Sequence, residues 1–293
     1  MFHIIVNEDN LKKKKNRKKL AEVEKVFKGA GLEYIIHKTN RKGMPKEICS
    51  ELTSERGNTV IAMGGDGTLH EILNGFVDFE NNAMALIPLG TGNDFAAAAN
   101  IPLNAKKAAK IIAYGSPRPI DFLQLSSGLR SLNAVGTGID VDVLEIAYAG
   151  KNRAKSKYLN ALIKALVNFK SYRYKVIYDG KEEEHCGLIG AAGNGRQIGG
   201  GIKCFPDAKI DDGLLDLLVV DFISKVKIVG AFLKLMRGKI NKIKQVTAVR
   251  TKSFKIIPLD DNCTIQADGE LYKNVALEAS ISEVKLNFYT PSV

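Results

Sequence analysis

Short apolar runs alternate with helical segments through the first third of this 293-residue chain. Four runs of aliphatic and β-branched residues, among them "FHIIV" (2–6) and "TVIAM" (59–63), are each followed by a stretch with helical spacing or composition, the first of which spans 11–28. Strands that alternate with helices favour a parallel, doubly wound sheet. The first third therefore predicts an α/β domain whose ligands bind beyond the carboxyl ends of its strands.

The pattern changes near Pro117 and Pro119. From Asp121 onward, strand-like runs such as "RSLNAVGTGIDVDVL" are separated by glycine-rich turns, which favours a mainly antiparallel β domain. Helical segments are expected to interrupt these strands near 155–169 and 224–238.

Two domains follow from this change of pattern. An α/β domain with a mostly parallel, doubly wound sheet is predicted at 1–119, and the last stretch, 283–293, is a candidate to complete it. A mainly antiparallel, sandwich-like β domain is predicted at 120–282.

The charge, the cysteines and the amino-terminal segment indicate what kind of partner to expect and in which cellular compartment. Lysine and arginine number 43 against 32 aspartates and glutamates, and the formal net charge of +11 implies an anionic partner. The four cysteines are scattered, so we interpret them as reduced, mostly buried thiols, and the four histidines are too dispersed to indicate a metal site. The apolar amino terminus precedes a lysine run, the reverse of a secretory signal, so a cytoplasmic location is expected.

Three glycines and an aspartate separate a predicted strand from a predicted helix at 64–68, "GGDGT". Because glycine has no Cβ, backbone N–H groups here can close on phosphate oxygens, and the following helix points its positive end at them. Asp66 is then placed to hold Mg²⁺, directly or through water. The P-loop and dinucleotide fingerprints are absent. The alternative is a plain strand-to-helix turn.

The segment "PLGTGNDFA" at 88–96 repeats this arrangement one strand later, with Thr91, Asn93 and Asp94. Adjacent parallel strands end at the same edge of a sheet, so two small-residue loops that each carry an aspartate would form one polar cleft. Asn93 or Asp94 could instead only cap the helix that begins at "FAAAA". The two loops together indicate a phosphate site more strongly than either does alone.

The two loops, in this order, resemble the catalytic domain of the diacylglycerol kinase family, in particular its soluble bacterial lipid kinases related to sphingosine and ceramide kinases. The resemblance continues through "NGRQIGGGIKCFPDAKIDDGLLDLLVV" (194–220) and "IQADGE" (265–270), and so covers nearly the whole chain. It implies a nucleotide-binding domain at 1–119, a lipid-substrate domain at 120–282, and a site for ATP and lipid in the cleft between them.

Carried over by position, the resemblance also implies residue roles at the nucleotide. The ATP phosphates would face Gly64, Gly65, Asp66, Gly67 and Thr68, with Asn7, Thr39 and Thr91 as further nucleotide contacts. Asp66 and Asp94 would hold the catalytic Mg²⁺ or its waters.

The same resemblance implies chemistry in the second domain. The family's acidic pair within a D-G-E motif falls on Asp268 and Glu270, one of which would take the proton from the acceptor hydroxyl. A structural Mg²⁺ would be bound by the Asp212 carboxylate and by the backbone carbonyls of Lys209 and Leu214. By themselves, "ADGE" is more typical of a hairpin turn and "DDGLLD" of a β-turn that enters a strand.

The loop after the first strand departs from the family's N-P-x-x-G pattern. Asn7 is present, but lysines crowd the segment and the proline and glycine are missing. We therefore keep a catalytically silent lipid- or nucleotide-binding protein as one alternative. A soluble-metabolite kinase is a second alternative, because NAD kinases share the "GGDG" loop.

The stretch from Ile223 to Lys255 has no acidic residue, although lysine and arginine recur through it. Its first part has helical character, with Ser224 as a candidate N-cap. The apolar side of this helix is formed by Val226, Val229, Phe232, Leu233 and Met236. Such a helix either packs on its own domain or lies on an anionic bilayer.

We therefore expect an ATP-dependent lipid kinase that transfers the γ-phosphoryl group to the hydroxyl of diacylglycerol or a related long-chain alcohol, with ATP and Mg²⁺ as cofactors. The expected partners are the lipid substrate and the anionic inner surface of a membrane, where a cytoplasmic protein would bind peripherally. The sequence does not decide between a monomer and a homodimer. No nucleic-acid partner is expected, because no recognisable reading module accompanies the charge.

Overall fold

The computed structural model describes residues 1–149, 156–169, 171–260 and 264–291. Within these ranges the side chains of Ser156, Lys157, Asn168, Lys225 and Val226 are not described. The chain forms two compact units, which are Met1–Asp121 with Glu283–Val293 (unit 1) and Phe122–Ser282 (unit 2). No helix among the described residues is long and apolar enough to cross a membrane.

Unit 1 is built on one mostly parallel sheet. Its strands, numbered along the whole chain, are β1 (Phe2–Asn7), β2 (Tyr34–Thr39), β3 (Thr59–Gly64), β4 (Ala83–Pro88), β5 (Arg118–Ile120) and β17 (Leu286–Phe288). Their order is β2-β1-β3-β4-β17-β5, and only β5 runs antiparallel to its neighbour. The helices are α1 (Glu8–Lys12), α2 (Lys14–Gly29), α3 (Met44–Thr53), α4 (Asp66–Leu73), α5 (Asp94–Ala98) and α6 (Ala105–Tyr114).

The predicted doubly wound α/β architecture is confirmed. Strands β3 and β4 are buried at every residue, as is typical of parallel strands that are covered on both faces. Helix α2 leads from β1 to β2, whereas α3 leads back across β1 to β3, so right-handed crossovers put these two helices on opposite faces. The strand order reverses at β1, and the loops after β1 and β3 therefore flank the crevice where such sheets bind ligands.

The lysine-rich segment after β1 forms two helices, not the single helix predicted from 11 to 28. Asn7 caps α1, because its side chain accepts a hydrogen bond from the Asp9 N–H (2.8 Å). Lys13 has an extended backbone (φ −80°, ψ 120°) and separates α1 from α2. The side chains of Asn16 and Arg17 donate to carbonyls in the last turn of α1, which gives partners to acceptors that a helix end leaves open.

The carboxyl-terminal segment returns to unit 1, where β17 lies between β4 and β5. Asp121 is fully buried, and its carboxylate pairs with the ammonium group of Lys285, just before β17. A buried charge without a partner is strongly destabilising. This pair therefore helps to fix the returning strand.

Unit 2 is built on an antiparallel sheet. Its strands are β6 (Leu123–Leu125), β7 (Arg130–Ser131), β8 (Ala134–Gly138), β9 (Tyr172–Tyr178), β10 (Lys181–Gly193), β11 (Leu215–Asp221), β12 (Val246–Thr251), β13 (Ser253–Pro258), β14 (Thr264–Ala267), β15 (Glu270–Lys273) and β16 (Leu277–Ile281). The order is β15-β14-β8-β10-β9-β13-β16-β6-β7, and β11 pairs with both β10 and β12. The helices are α7 (Ile139–Ala149), α8 (Ser156–Asn168) and α9 (Lys225–Met236). The predicted mainly antiparallel, β-rich domain is confirmed.

The sheet of unit 2 buries both of its faces. Along β11, Leu217 and Val219 enter one apolar cluster, whereas Leu218 and Val220 enter another. Side chains alternate between faces along a strand, so this split places an apolar core on each side. Residues of α7, α8 and α9 belong to, or pack against, the second cluster.

The run at 130–144 is not the strand that was predicted, because it continues from β8 into α7. Gly138 has φ 105°, and a Cβ atom there would lie 2.4 Å from the carbonyl oxygen of Leu188. Ile139, Val141 and Val143 alternate with two aspartates, a spacing that is typical of a strand with one polar face. In fact Asp140, Val141 and Val143 are all buried, so the period-2 pattern does not separate a solvent face from a core face.

Two cysteines fit the interpretation as buried thiols and one does not. Cys49 and Cys204 are buried, whereas Cys186 is exposed, and none of these three described cysteines forms a disulfide. Cys263 lies outside the described residues.

Candidate active site

Two glycine-containing loops touch at the carboxyl ends of β3 and β4. We call 64–68 the GGDGT loop and 90–94 the GTGND loop. The carbonyl of Gly64 accepts hydrogen bonds from the N–H groups of Leu89 (2.7 Å) and Gly90 (3.2 Å). A Cβ atom on Gly90 would lie 2.6 Å from the Cα of Gly65, so the two backbones are closer than any side chain allows. Part of the glycine content therefore serves this contact between the loops.

Asp66 holds the GTGND loop in place. Its carboxylate accepts hydrogen bonds from the backbone N–H groups of Asn93 (2.8 Å) and Phe95 (3.4 Å). Asn93 is the N-cap residue of α5 and has φ 56°, but its own side chain makes no capping bond. Asp66 thus supplies from a neighbouring loop the acceptor that the start of α5 lacks.

Asp94 lies beside Asp66 in this site. It is the first residue of α5 and is buried. A Cβ atom on Gly92 would lie 2.9 Å from Oδ2 of Asp66 and 3.6 Å from Oδ2 of Asp94, so the two carboxylates flank the same glycine. Thr91 lies in the GTGND loop, and it is exposed.

The first turn of α4 begins inside the GGDGT loop, and Gly65, Gly67 and Thr68 are all partly exposed there. The first N–H groups of a helix have no partner within it and carry the positive end of the helix dipole. An anionic group brought to this turn would meet several N–H donors at once. The arrangement is thus suited to bind a phosphate.

Asn7 and Thr39 end the neighbouring strands β1 and β2 and lie opposite each other in the sheet. The side chain of Asn7 is engaged as the cap of α1. The Thr39 hydroxyl is completely buried and has no hydrogen-bond partner among the residues that the structure describes. An unpaired buried hydroxyl is unfavourable, and such groups are often found where a ligand or water completes a site.

The D-G-E segment of unit 2 is the turn of the β14–β15 hairpin. Asp268 (φ 50°) and Gly269 (φ 86°) are both left-handed, as a two-residue type I′ turn requires. The Asp268 carboxylate accepts hydrogen bonds from the Ser131 hydroxyl (2.6 Å) and from three backbone N–H groups. These belong to Leu132 (3.1 Å), Asn133 (2.8 Å) and Ala134 (3.3 Å). Asp268 therefore anchors the connection from β7 to β8, whereas Glu270 starts β15 and is partly exposed.

At the predicted structural Mg²⁺ site, protein groups contact the Asp212 side chain. The Asp212 carboxylate pairs with the guanidinium of Arg250 and accepts the Leu214 N–H (3.2 Å). Arg250 also lies 3.6 Å from Oδ2 of Asp216, whose pKa burial raises to about 6. A guanidinium thus stands against the carboxylate where a cation was expected, and the described residues contain no group of three or more metal-ligating side chains. A structural Mg²⁺ bound by the Asp212 carboxylate and by the backbone carbonyls of Lys209 and Leu214 stays a prediction.

Asp140 is a candidate that sequence reasoning missed. Its carboxyl is buried at the start of α7, Oδ2 has no hydrogen-bond partner within the described part of the chain, and burial raises the pKa of Asp140 to about 7. A Cβ atom on Gly136 would lie 2.2 Å from that oxygen. The signal was present, because "GTGID" at 136–140 repeats the spacing of "GTGND" at 90–94.

Both parts of the chain match known domains. Residues 1–125 match the diacylglycerol kinase catalytic domain, and residues 133–289 match the YegS C-terminal NAD kinase beta sandwich-like domain. The chain is 28% identical over 263 residues to the diacylglycerol kinase of Bacillus subtilis (strain 168), which covers 87% of this chain and 84% of that protein. It is 31% identical over 264 residues to the probable lipid kinase YegS-like of Xanthomonas campestris pv. campestris (strain 8004), which covers 86% and 84%.

A solved structure shares the fold over nearly its whole length. The crystal structure of a putative diacylglycerol kinase from Bacillus anthracis strain Sterne matches with a TM-score of 0.82 at 27% identity, covering 99% of this chain and 97% of that one. The glycine loops of unit 1 and the D-G-E hairpin of unit 2 lie inside the two matched domains. The chain belongs to the diacylglycerol kinase catalytic domain family of phosphotransferases, with a YegS-type β-sandwich-like domain at its carboxyl-terminal end.

Proposed function

We propose that this chain is an ATP-dependent lipid kinase that transfers the γ-phosphoryl group of ATP to the hydroxyl of diacylglycerol or a related long-chain alcohol. The observation that carries the proposal is the contact between the GGDGT and GTGND loops, which Asp66 fixes beside the first turn of α4. Family membership supports the use of ATP, and the names of the relatives support a lipid acceptor.

Positioning and charge neutralisation are the main requirements of phosphoryl transfer. The N–H groups at the start of α4 would bind the phosphates, and the Thr39 hydroxyl would gain its missing partner from the nucleotide. Mg²⁺ in kinase sites is commonly held by one or two carboxylates together with substrate phosphates, and Asp66 and Asp94 supply two. The N–H bonds from Asn93 and Phe95 would keep the Asp66 carboxylate positioned for that ion. The ion would neutralise charge on the transferred group.

Glu270 is the proposed general base. Asp268, the other candidate of the D-G-E segment, already accepts four hydrogen bonds, three on Oδ1 and one on Oδ2, so most of its acceptor capacity serves the β7–β8 connection. Asp140 is proposed to orient the lipid head group, because its unpartnered oxygen can accept a hydrogen bond from a hydroxyl.

The test is a transfer assay with radiolabelled ATP, Mg²⁺ and mixed micelles that contain diacylglycerol, sphingosine-like bases or polyprenols. A parallel reaction contains NAD, because the second domain is of an NAD kinase β-sandwich-like type. Label in the lipid extract supports the proposal. Label in NAD would replace it with a soluble-metabolite kinase, and ATP binding without transfer would indicate a silent binding protein.

A further inference from the structure

Helix α9 has two apolar sides. Ile228, Ala231, Phe232 and Leu235 follow the i, i+3, i+4, i+7 spacing of one helix face and pack against the core of unit 2. Val229, Leu233 and Met236 repeat at i, i+4, i+7 and are 64%, 48% and 40% exposed. The sequence grouped Phe232 with Val229, Leu233 and Met236 on one apolar side, and this is wrong, because Phe232 packs against the core. The side chain of Val226 is not described.

Packing within the unit explains only the inner side of α9. Phe222, three residues before the helix, is 54% exposed, and its ring contacts Phe169 at the end of α8 (centroids 5.8 Å apart). Val167 in the last turn of α8 is also exposed. Single exposed apolar residues are ordinary, but three that repeat along one side of a helix mark a candidate interaction surface.

The charge around this stripe is positive. Lys227, Lys234, Arg237, Lys239 and Lys242 are all exposed in or just after α9. No acidic residue lies between 223 and 255 in the sequence. Asp207 reaches the segment from elsewhere in unit 2 by accepting a hydrogen bond from Asn241 (3.0 Å). Several exposed cations therefore lie in and just after α9, and Asp207 is an acid from the described residues that contacts this segment.

These features fit one kind of partner. In a symmetric dimer the same surface meets itself, which would place this cationic border against its own copy. In a bilayer that contains anionic lipids, the apolar stripe would be buried at the boundary with the acyl chains, and the lysines would meet negatively charged headgroups. We propose that the outer face of α9, with Phe222, docks on an anionic membrane surface. This inference rests on the proposed function in one respect, which is that the acceptor substrate is a membrane lipid.

Vesicle sedimentation tests the docking. The full chain is mixed with vesicles of phosphatidylcholine alone or of phosphatidylcholine with phosphatidylglycerol, at low and at high salt. The wild-type chain should sediment with the anionic vesicles and be released by salt. The variants Leu233→Gln with Met236→Gln, and Lys234→Gln with Arg237→Gln, should each lower the partition constant at least about tenfold.

Matched controls come from unit 1. Leu103 is 52% exposed, and Lys106 and Lys107 are exposed on α6, so Leu103→Gln and Lys106→Gln with Lys107→Gln should change partition less than about twofold. Equal loss in controls and α9 variants, unchanged partition of the α9 variants, or equal binding to neutral vesicles would overturn the proposal. So would a concentration-dependent dimer that the α9 variants abolish.

The lipid kinase assay separates this inference from the proposed function. With a short-chain diacylglycerol dissolved as monomer, the α9 variants should retain the wild-type rate, whereas on anionic vesicles they should lose it. A wild-type chain that sediments with anionic vesicles but phosphorylates no lipid would support docking and refute the kinase proposal. Unchanged melting temperatures of the variants show that the fold is retained.

Discussion

Asp66 of unit 1 and Asp268 of unit 2 occupy similar positions, but they differ in the hydrogen bonds that they accept from a neighbouring loop. Each lies next to a glycine at the end of a strand and accepts backbone N–H groups from a neighbouring loop. Asp66 receives two such bonds, from the GTGND loop. Asp268 receives four bonds in all, from Ser131 and the three residues after it. An acid in a motif that the resemblance assigns to catalysis can thus be a structural anchor, and its contacts with neighbouring loops show which segments it holds in place.

The largest expected effect separates Glu270 from Asp268. If Glu270 is the general base, Glu270→Gln should lower the rate of transfer by roughly 10²- to 10⁴-fold, with the free energy of unfolding nearly unchanged. Asp268→Asn keeps one acceptor oxygen and should retain more activity. Steady-state rates of the two variants, measured beside urea unfolding, make the distinction. A Glu270→Gln variant with wild-type turnover would return the base role to Asp268 or to another group.

The next effect concerns stability. Asp268→Ala leaves three backbone N–H groups and the Ser131 hydroxyl without their acceptor, so the free energy of unfolding should fall by about 3 kcal/mol. Glu270→Ala serves as the control, with an expected loss within about 0.5 kcal/mol. Equal unfolding midpoints in urea for the two variants would show that Asp268 is not an anchor.

A smaller loss is expected at Asp66, because it accepts two hydrogen bonds instead of four. Asp66→Ala should lower the free energy of unfolding by about 1–2 kcal/mol and should also abolish transfer, since the GTGND loop loses its attachment. Asp66→Asn should recover part of the stability but not the activity. Full stability in Asp66→Ala would mean that contacts between the loop backbones suffice to hold the site.

The smallest effects are opposite responses to pH in the two units. In unit 1, His3 and His37 contact each other (3.1 Å), and burial is the first cause that lowers both pKa values from 6.5. The folded state then binds fewer protons than the unfolded state just below pH 6.5. Their contribution to stability is present above that pH and is lost as the pH falls below it.

Asp140 of unit 2 gives the reverse sign. Burial raises its pKa to about 7 from 3.8, so the folded state retains a proton that the unfolded state releases. Its contribution is present below pH 3.8 and is lost as the pH rises toward 7. Thermal unfolding between pH 5 and 8 should therefore respond to His3→Gln mainly at the acid end and to Asp140→Asn mainly at the neutral end. Identical pH profiles for both variants would contradict this assignment.

Much of the fold could be predicted because it depends on neighbours in sequence. The apolar runs that became β3 and β4, and the glycines of 64–68, show their spacing within a few residues. The failure at 139–149 has the same origin. Alternating valines and aspartates are typical of a strand only if one face meets water, and here Asp140 is buried together with Val141 and Val143.

The partners of the candidate site residues could not be predicted in this way. Asp66 contacts a loop 27 residues away, Asp268 one that is more than 130 residues away, and Asp212 the guanidinium of Arg250. Such pairs depend on which loops the sheet brings together, and sequence spacing carries no signal for that.

By itself, the sequence determined where strands and helices form and where glycine lets two backbones meet, because propensity and periodicity act over a few residues. Only the tertiary structure decided which acids are anchors, which cation pairs with Asp212, and which side of α9 stays exposed. Hydrogen bonds and burial join residues far apart in the chain, so their outcome is known only when the sheets have formed.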